Sequence, residues 1–365
     1  MTKITYYLGA GASYYACPIL EKQGEMMIFM STVELQKCGH NSDGYGGFTE
    51  INFNENEKSS LPNHGMIFTL WYIGYFGKKA AEYNTIDTYA RKLFLNEENE
   101  ELSLLKFCVS VFFDLFENYK DRYRSFEYQN IDYRYKSLFS ILIEKKEEIK
   151  LNNNFKFITW NYDLQLEESF NLFLSNNYQK DLNSINNYFK YKYNNLEIND
   201  IFHLNGYRGF YETDAENENI LNDSFDFEKY WESIEPFYNE VKRKNLNFNN
   251  HIKYAWEHNL ENNPFFENIY NVLNETEILI IIGYSFPPFN RSIDQLLFSK
   301  LNSKKIKKIV YQDPNASKQL IENLFEKPVL YKDKIEILTD SKDLKQFYLP
   351  NEHFISQKNT GIEIK

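Results

Sequence analysis

Short runs of β-branched and aromatic residues recur along the chain, and each ends in glycine, an amide or an acid. Ile4 to Leu8 precedes Gly9; Phe155 to Ile158 precedes Thr159-Trp160-Asn161-Tyr162-Asp163; Ile201-Phe202 precedes His203-Leu204-Asn205-Gly206. Glu277 to Ile282 precedes Gly283-Tyr284-Ser285-Phe286, Lys308 to Tyr311 precedes Asp313-Pro314-Asn315, and Ile335 to Leu338 is a last candidate. Runs of this length that are apolar throughout predict strands buried on both faces, as in parallel sheets. Helical periodicity fills the gaps. Ile86, Tyr89, Ala90, Leu93 and Phe94 follow one face, as do Leu104, Cys108, Val111, Phe112, Leu115 and Tyr119, and then Leu138, Ile141 and Leu142. Leu164 to Leu174 and Phe227 to Val241 are further helices. Strands alternating with helices predict an α/β fold: a Rossmann-like, doubly wound parallel sheet with helical insertions forming a smaller, mainly α domain.

A chain of 365 residues exceeds the usual single core. The pattern divides it into a Rossmann-like domain of residues 1–35 plus 136–345, a helical insertion domain of residues 36–135, and a C-terminal tail of residues 346–365. Within the first domain, residues 207–270 are read as a helical cover or insertion. The glycine-bearing polar stretch from Gly39 to His64 reads as an exposed loop, a candidate lid.

Charge narrows the partners. With 52 acidic against 41 basic residues, and a net charge of -11, the surface repels nucleic acid, so no direct nucleic-acid contact is expected. Cys17, Cys38 and Cys108 are odd in number and far apart, which indicates neither a disulfide framework nor a structural zinc site. The first apolar run is too short for a secretory signal, and Lys106 and Asp114 interrupt the most apolar helix, Leu102 to Tyr119. A cytoplasmic protein with no membrane contact is expected.

In open α/β sheets ligands bind at the carboxyl ends of the strands, so the polar strand ends predict one composite site. Gly9-Ala10-Gly11-Ala12-Ser13 reads as a tight turn feeding a helix, where glycines admit a phosphate and helix-start amides supply donors. The third glycine of the dinucleotide fingerprint is missing, and by itself the segment is equally a plain turn. Asn161 and Asp163 are two apart; continued strand geometry would point both out of one rim. His203 alone, a lone histidine beside apolar residues, reads more readily as a satisfied core or surface histidine than as a functional one. His40, His64, His251, His258 and His353 show no metal-ligand spacing, and no metal is expected. Asp294 with Arg291 reads either as supporting or oligomer-forming residues or as a surface ion pair.

The glycine loop, Thr159-Trp160-Asn161-Tyr162-Asp163, His203-Leu204-Asn205-Gly206 and Ile282-Gly283-Tyr284-Ser285-Phe286-Pro287-Pro288-Phe289-Asn290-Arg291-Ser292-Ile293-Asp294 occur in this order. Together they resemble the sirtuin superfamily, specifically the divergent bacterial sirtuin-like domains that hydrolyse NAD+ as effectors of antiphage defence. The resemblance runs from Leu8 to Asn315, and the helical blocks between carry no comparable signature. The chain lacks the four zinc cysteines typical of protein-deacylating sirtuins and has no recognisable acyl-peptide groove after His203.

The resemblance implies an NAD+ glycohydrolase that releases nicotinamide and ADP-ribose, with NAD+ as substrate and no metal. It implies that Asn161 orients the ribose and the attacking water, and that His203 bonds the ribose hydroxyls and acts as general base. Gly9, Ala10, Gly11 and Ser13 would meet the diphosphate, Gly283 and Ser285 the phosphate-ribose side, and Asp313 and Asn315 the adenosine ribose. Thr159 and Asp163 join the cofactor-binding set, Asp163 contacting the nicotinamide carboxamide or fixing the loop. Because NAD+ depletion endangers the cell, gating is expected from homo-oligomerisation or from a separately encoded sensor or regulator, such as an ATPase or a nucleotide-processing protein. The alternatives are an NAD-dependent deacylase, a non-catalytic NAD or ADP-ribose sensor and a purely structural subunit, and NADP remains open as a substrate.

Overall fold

All six apolar runs pair into a single sheet in the computed structural model. The structure describes residues 2–39, 53, 65–118, 128–145, 149–174, 190–193, 196–212, 217–219, 227–242, 249–250 and 252–358. The expected lid, apart from Gly39 and residue 53, lies outside these residues, as do His40, His64 and His251. The chain divides into two compact units: Met1–Tyr15, Ile131–Gly206 and Lys253–Lys365 form the first, and Ala16–Asn130 with Tyr207–Ile252 the second.

The first unit holds the sheet. Its strands are β1 (Ile4–Leu8), β2 (Phe155–Thr159), β3 (Ile201–His203), β4 (Ile278–Ile282), β5 (Lys308–Gln312) and β6 (Ile335–Leu338). They lie side by side in the order β3-β2-β1-β4-β5-β6, and all neighbours are parallel. This is the strand order of dinucleotide-binding Rossmann sheets, and its direction of winding reverses between β1 and β4.

Both faces are covered, which is why β4 is apolar throughout rather than alternating, and why Lys156 in the buried β2 is paired with Asp200. On one face Tyr7, Ile158, Leu279, Ile281 and Tyr311 pack against Phe266, Ile269 and Leu273 of the helix Pro264–Glu275 and against Ile293, Leu297 and Phe298 of the helix Arg291–Ser299. On the other, Tyr6 stacks on Phe157, and Phe139 of the helix Tyr133–Leu142 bridges Phe157 and Phe170 of the helix Gln165–Asn171. Fully burying each of these side chains stabilises by about 1.5–3 kcal/mol. Beyond β6, Phe347 packs edge-on against Tyr135, and the Tyr348 carbonyl accepts the Tyr6 hydroxyl at 2.9 Å.

The second unit is mainly helical, built from Leu20–Lys37, Gly65–Glu82, Ile86–Leu95, Asn99–Asn118 and Phe227–Lys242. The apolar Asn99–Asn118 helix buries two acids, Asp114 and Glu117, and the unit is organised around Asp114. Arg208, only 1 % exposed, donates to Asp114 at 3.1 Å and also to Glu117 one turn on. The hydroxyls of Tyr211 and Tyr230 donate to the other Asp114 oxygen at 2.9 and 3.1 Å. Burial pushes the Asp114 carboxyl up to about 6, against the pull of Arg208 and the tyrosines. Among the described residues, no helix is long and apolar enough to cross a membrane.

Candidate functional site

Parallel register brings the polar strand ends to one level. Leu8 lies beside Thr159 on one side and Ile282 on the other, Thr159 beside His203, and Ile282 beside Gln312. Four strand spacings separate His203 from Gln312, or about 19 Å along the rim. The four motifs therefore leave the sheet along a single edge centred on the switch point.

Strand geometry stops at Thr159, because its Oγ1 accepts the Asn161 N–H at 3.1 Å and turns the chain. Asn161 and Asp163 consequently do not extend side by side from a continuing strand. The Asn161 amide reaches across to Ser13 Oγ at 3.3 Å, whereas Asp163 Oδ1 accepts the N–H of Gln165, the first residue of the following helix, at 3.2 Å. Both are 7 % exposed. Ser13, wholly buried, also lies 3.4 Å from the Tyr135 hydroxyl.

His203 closes this cluster. Its Nδ1 sits 3.3 Å from the Asn161 carbonyl, which only accepts, so Nδ1 carries a proton. Its Nε2 sits 2.7 Å from Glu167 Oε1, in a pair whose side chains are 9 % and 2 % exposed. Burial works against the charged imidazole, but the Glu167 carboxylate, the Asn161 carbonyl and Asp163 together hold its pKa above the ordinary histidine value. The second Glu167 oxygen, Oε2, is buried with no hydrogen-bond partner, as is Asn205 Oδ1. Asn205 donates its amide to the Trp160 carbonyl at 3.1 Å.

The glycines serve a close approach between two loops. Gly9 N–H donates to the Ile282 carbonyl at 3.0 Å and Gly11 N–H to the Gly283 carbonyl at 2.9 Å. A Cβ on Gly9 would meet Gly283 O and Tyr284 Cα at 2.7 Å each, and one on Gly11 would meet Gly283 Cα at 2.7 Å. The two loops thus cross in contact at the switch point. Ala10–Ser13 forms a single 3-10 turn, and the next α-helix begins only at Leu20. The expected direct feed into a helix is absent: Pro18 disfavours helical geometry at Cys17.

Residues that the sequence pattern did not flag brace the loop. Asp132 pairs with Arg134, whose Nη2 donates to the Gly11 and Ala12 carbonyls at 2.9 and 3.0 Å. The guanidinium lies over the rings of Tyr15 and Phe347. Asp132 also accepts the Tyr15 N–H at 3.1 Å. Asp132 carries a local signal as the N-cap of the helix Tyr133–Leu142, but nothing local marks the contacts with the glycine loop, which lies about 120 positions away. Glu167 carries a weak signal: it is an acid on a helix whose residues Gln165, Leu166, Ser169 and Phe170 are all buried.

Asp294 is not part of a surface ion pair. It is fully buried and accepts the hydroxyls of Tyr7 at 2.5 Å and Tyr284 at 2.9 Å and the Trp160 indole N–H at 3.2 Å, tying together the ends of β1, β2 and β4. Burial raises its carboxyl to about 7, with the three donors pulling the other way. Helical spacing places it on the inner face with Ile293, Leu297 and Phe298, and Arg291 on the outside.

On the far side of the switch point Ser285 is exposed, and Asp313 Oδ1 accepts the Asn315 N–H at 2.8 Å in a turn that leaves Asn315 exposed. Burial raises the Asp313 carboxyl above the usual range. Ser13, Thr159, Asn161, Asp163 and His203 thus gather on the β1-β2-β3 side, and Ser285, Asp313 and Asn315 stand along the β4-β5 rim. Among the described residues, no three His, Cys, Asp or Glu side chains are grouped to hold a metal ion. The chain matches no protein-family model, and no curated protein is similar enough to count as a relative.

Proposed function

We propose that this chain is an NAD+ glycohydrolase. The observation that carries the reading is the buried Ser13–Asn161–His203–Glu167 cluster beside the switch point of a 3-2-1-4-5-6 sheet, where such folds bind dinucleotides. Nicotinamide and its ribose occupy the β1-β2-β3 side, the diphosphate crosses the glycine loop, and the adenosine half lies toward Asp313 and Asn315.

The reaction asks little acid catalysis of the protein. The C1′–N bond breaks with its electron pair going to the pyridinium nitrogen, so nicotinamide leaves neutral. Water bonds to C1′ through oxygen, and its proton passes to the His203–Glu167 pair. Asn161 positions the ribose and the water, and burial keeps the pocket dry enough to strengthen these contacts.

The role as toxic effector of a bacterial antiphage abortive-infection system, gated by oligomerisation or a partner protein, is supported by the resemblance of the four motifs to sirtuin-like defence effectors. A module that binds NAD+ or ADP-ribose without turnover is the second reading, favoured by the near-complete burial of Asn161, Asp163 and His203. Nicotinamide release from NAD+ by the pure chain, alone and with the products of neighbouring genes, decides between them. Release that is lost in Asn161→Ala and His203→Ala, with ADP-ribose as product, is the expected result. NAD+ binding without release in any mixture would establish the sensor, and an acyl ester of ADP-ribose would establish a deacylase.

A further inference from the structure

Glu167 has one oxygen engaged and one idle. Oε1 is bound to His203 at 2.7 Å, while Oε2 is buried without a partner on a side chain 2 % exposed. A buried carboxylate oxygen left unpaired is costly, and native proteins pair such atoms with protein, water or ligand. The Gln165 N–H at the start of the Glu167 helix is taken by Asp163.

We propose that Glu167 is a ligand-binding carboxylate of this site: Oε1 orients His203, and Oε2 accepts a hydrogen bond from a hydroxyl of the ribose attached to nicotinamide. A carboxylate only accepts, so the group that meets it must donate, which selects a hydroxyl and rejects a phosphate or a carbonyl. His203, with Nδ1 on the Asn161 carbonyl and Nε2 on Glu167, has both ring nitrogens occupied at rest. The idle Oε2 is therefore the acceptor in this pair still open to substrate. The proposal rests on the NAD+ reading of the site.

The test is a binding cycle with a carbocyclic NAD+ analogue, which cannot be hydrolysed, and its 2′-deoxy and 3′-deoxy forms on the nicotinamide side. Wild-type protein is expected to bind the full analogue roughly 10- to 100-fold more tightly than one of the deoxy forms, as for a hydrogen bond to a charged group. Glu167→Gln is expected to lose most of that preference and to bind the matching deoxy form as wild type does. Glu167→Asp, which keeps the charge but draws it back, is expected to fall between, and the wild-type preference needs no variant to be read. Equal binding of all three analogues by wild type, or a Glu167→Gln loss of the same size for each, would overturn the role of Oε2 while leaving the NAD+ site standing. If wild type binds none of them, the NAD+ reading itself fails, and this proposal with it.

Discussion

The Gly11 N–H donates to the Gly283 carbonyl at 2.9 Å, so two glycines 272 positions apart hold the loops after β1 and β4 in backbone contact. That contact sits where the sheet changes its direction of winding, and it determines how far the two loops stand apart. The glycine loop is thus shaped by a neighbouring backbone, and Arg134 grips its carbonyls from the other side.

Gly283→Ala is expected to be among the most damaging single changes in the first unit. Its φ of +59° disfavours any side chain, and the new Cβ would lie 2.3 Å from Ala12 N and Gly11 C. Left-handed strain and overpacking together predict a loss of roughly 2–4 kcal/mol. Urea unfolding measures it; a loss below about 1 kcal/mol would show that the loops separate easily.

Thr159→Val should misplace Asn161 while sparing the strand. Valine keeps the shape and β preference but removes the oxygen that accepts the Asn161 N–H. The buried amide left behind costs about 1–3 kcal/mol. Under the proposed NAD+ reading, nicotinamide release is expected to fall about tenfold or more, as for a displaced positioning group, with Thr159→Ser restoring it. Full activity in the valine variant would show that the turn is held by other contacts.

Asp294 predicts a pH dependence of stability. Its carboxyl has the ordinary value of 3.8 when unfolded and is raised to about 7 when folded. The folded state binds that proton more tightly, so the contribution is complete below the unfolded value and is lost as pH rises through the folded one. Asp294→Asn removes the titration while keeping an acceptor for Tyr7 and Trp160. Its melting temperature relative to wild type is expected to rise between pH 5 and pH 8; a constant difference would place Asp294 in its ionised form throughout.

Arg208→Ala is expected to destabilise the second unit by about 3–5 kcal/mol, because it leaves Asp114 and Glu117 buried without their cation. Arg208→Ala combined with Asp114→Asn and Glu117→Gln should recover part of that loss. Thermal unfolding of the single and triple variants checks it, and additive losses would exclude charge pairing as the cause.

The sequence by itself determined the six strands and their rim, but not the helices Gly65–Glu82, Pro264–Glu275 and Arg291–Ser299. Runs such as Ile278–Ile282 are apolar at each position, which only a strand covered on both faces satisfies, and their abrupt polar ends mark where the sheet meets its loops. Local periodicity likewise located the helices Ile86–Leu95 and Phe227–Lys242. Tertiary structure decided the partners. Glu167 meets His203, Arg134 meets the glycine loop and Asp294 meets three aromatic donors through contacts spanning 36, 123 and up to 287 positions. Spacing along a chain reports the face on which a side chain lies, because backbone geometry is local. What that face meets depends on strand order and loop crossing, which long-range packing sets.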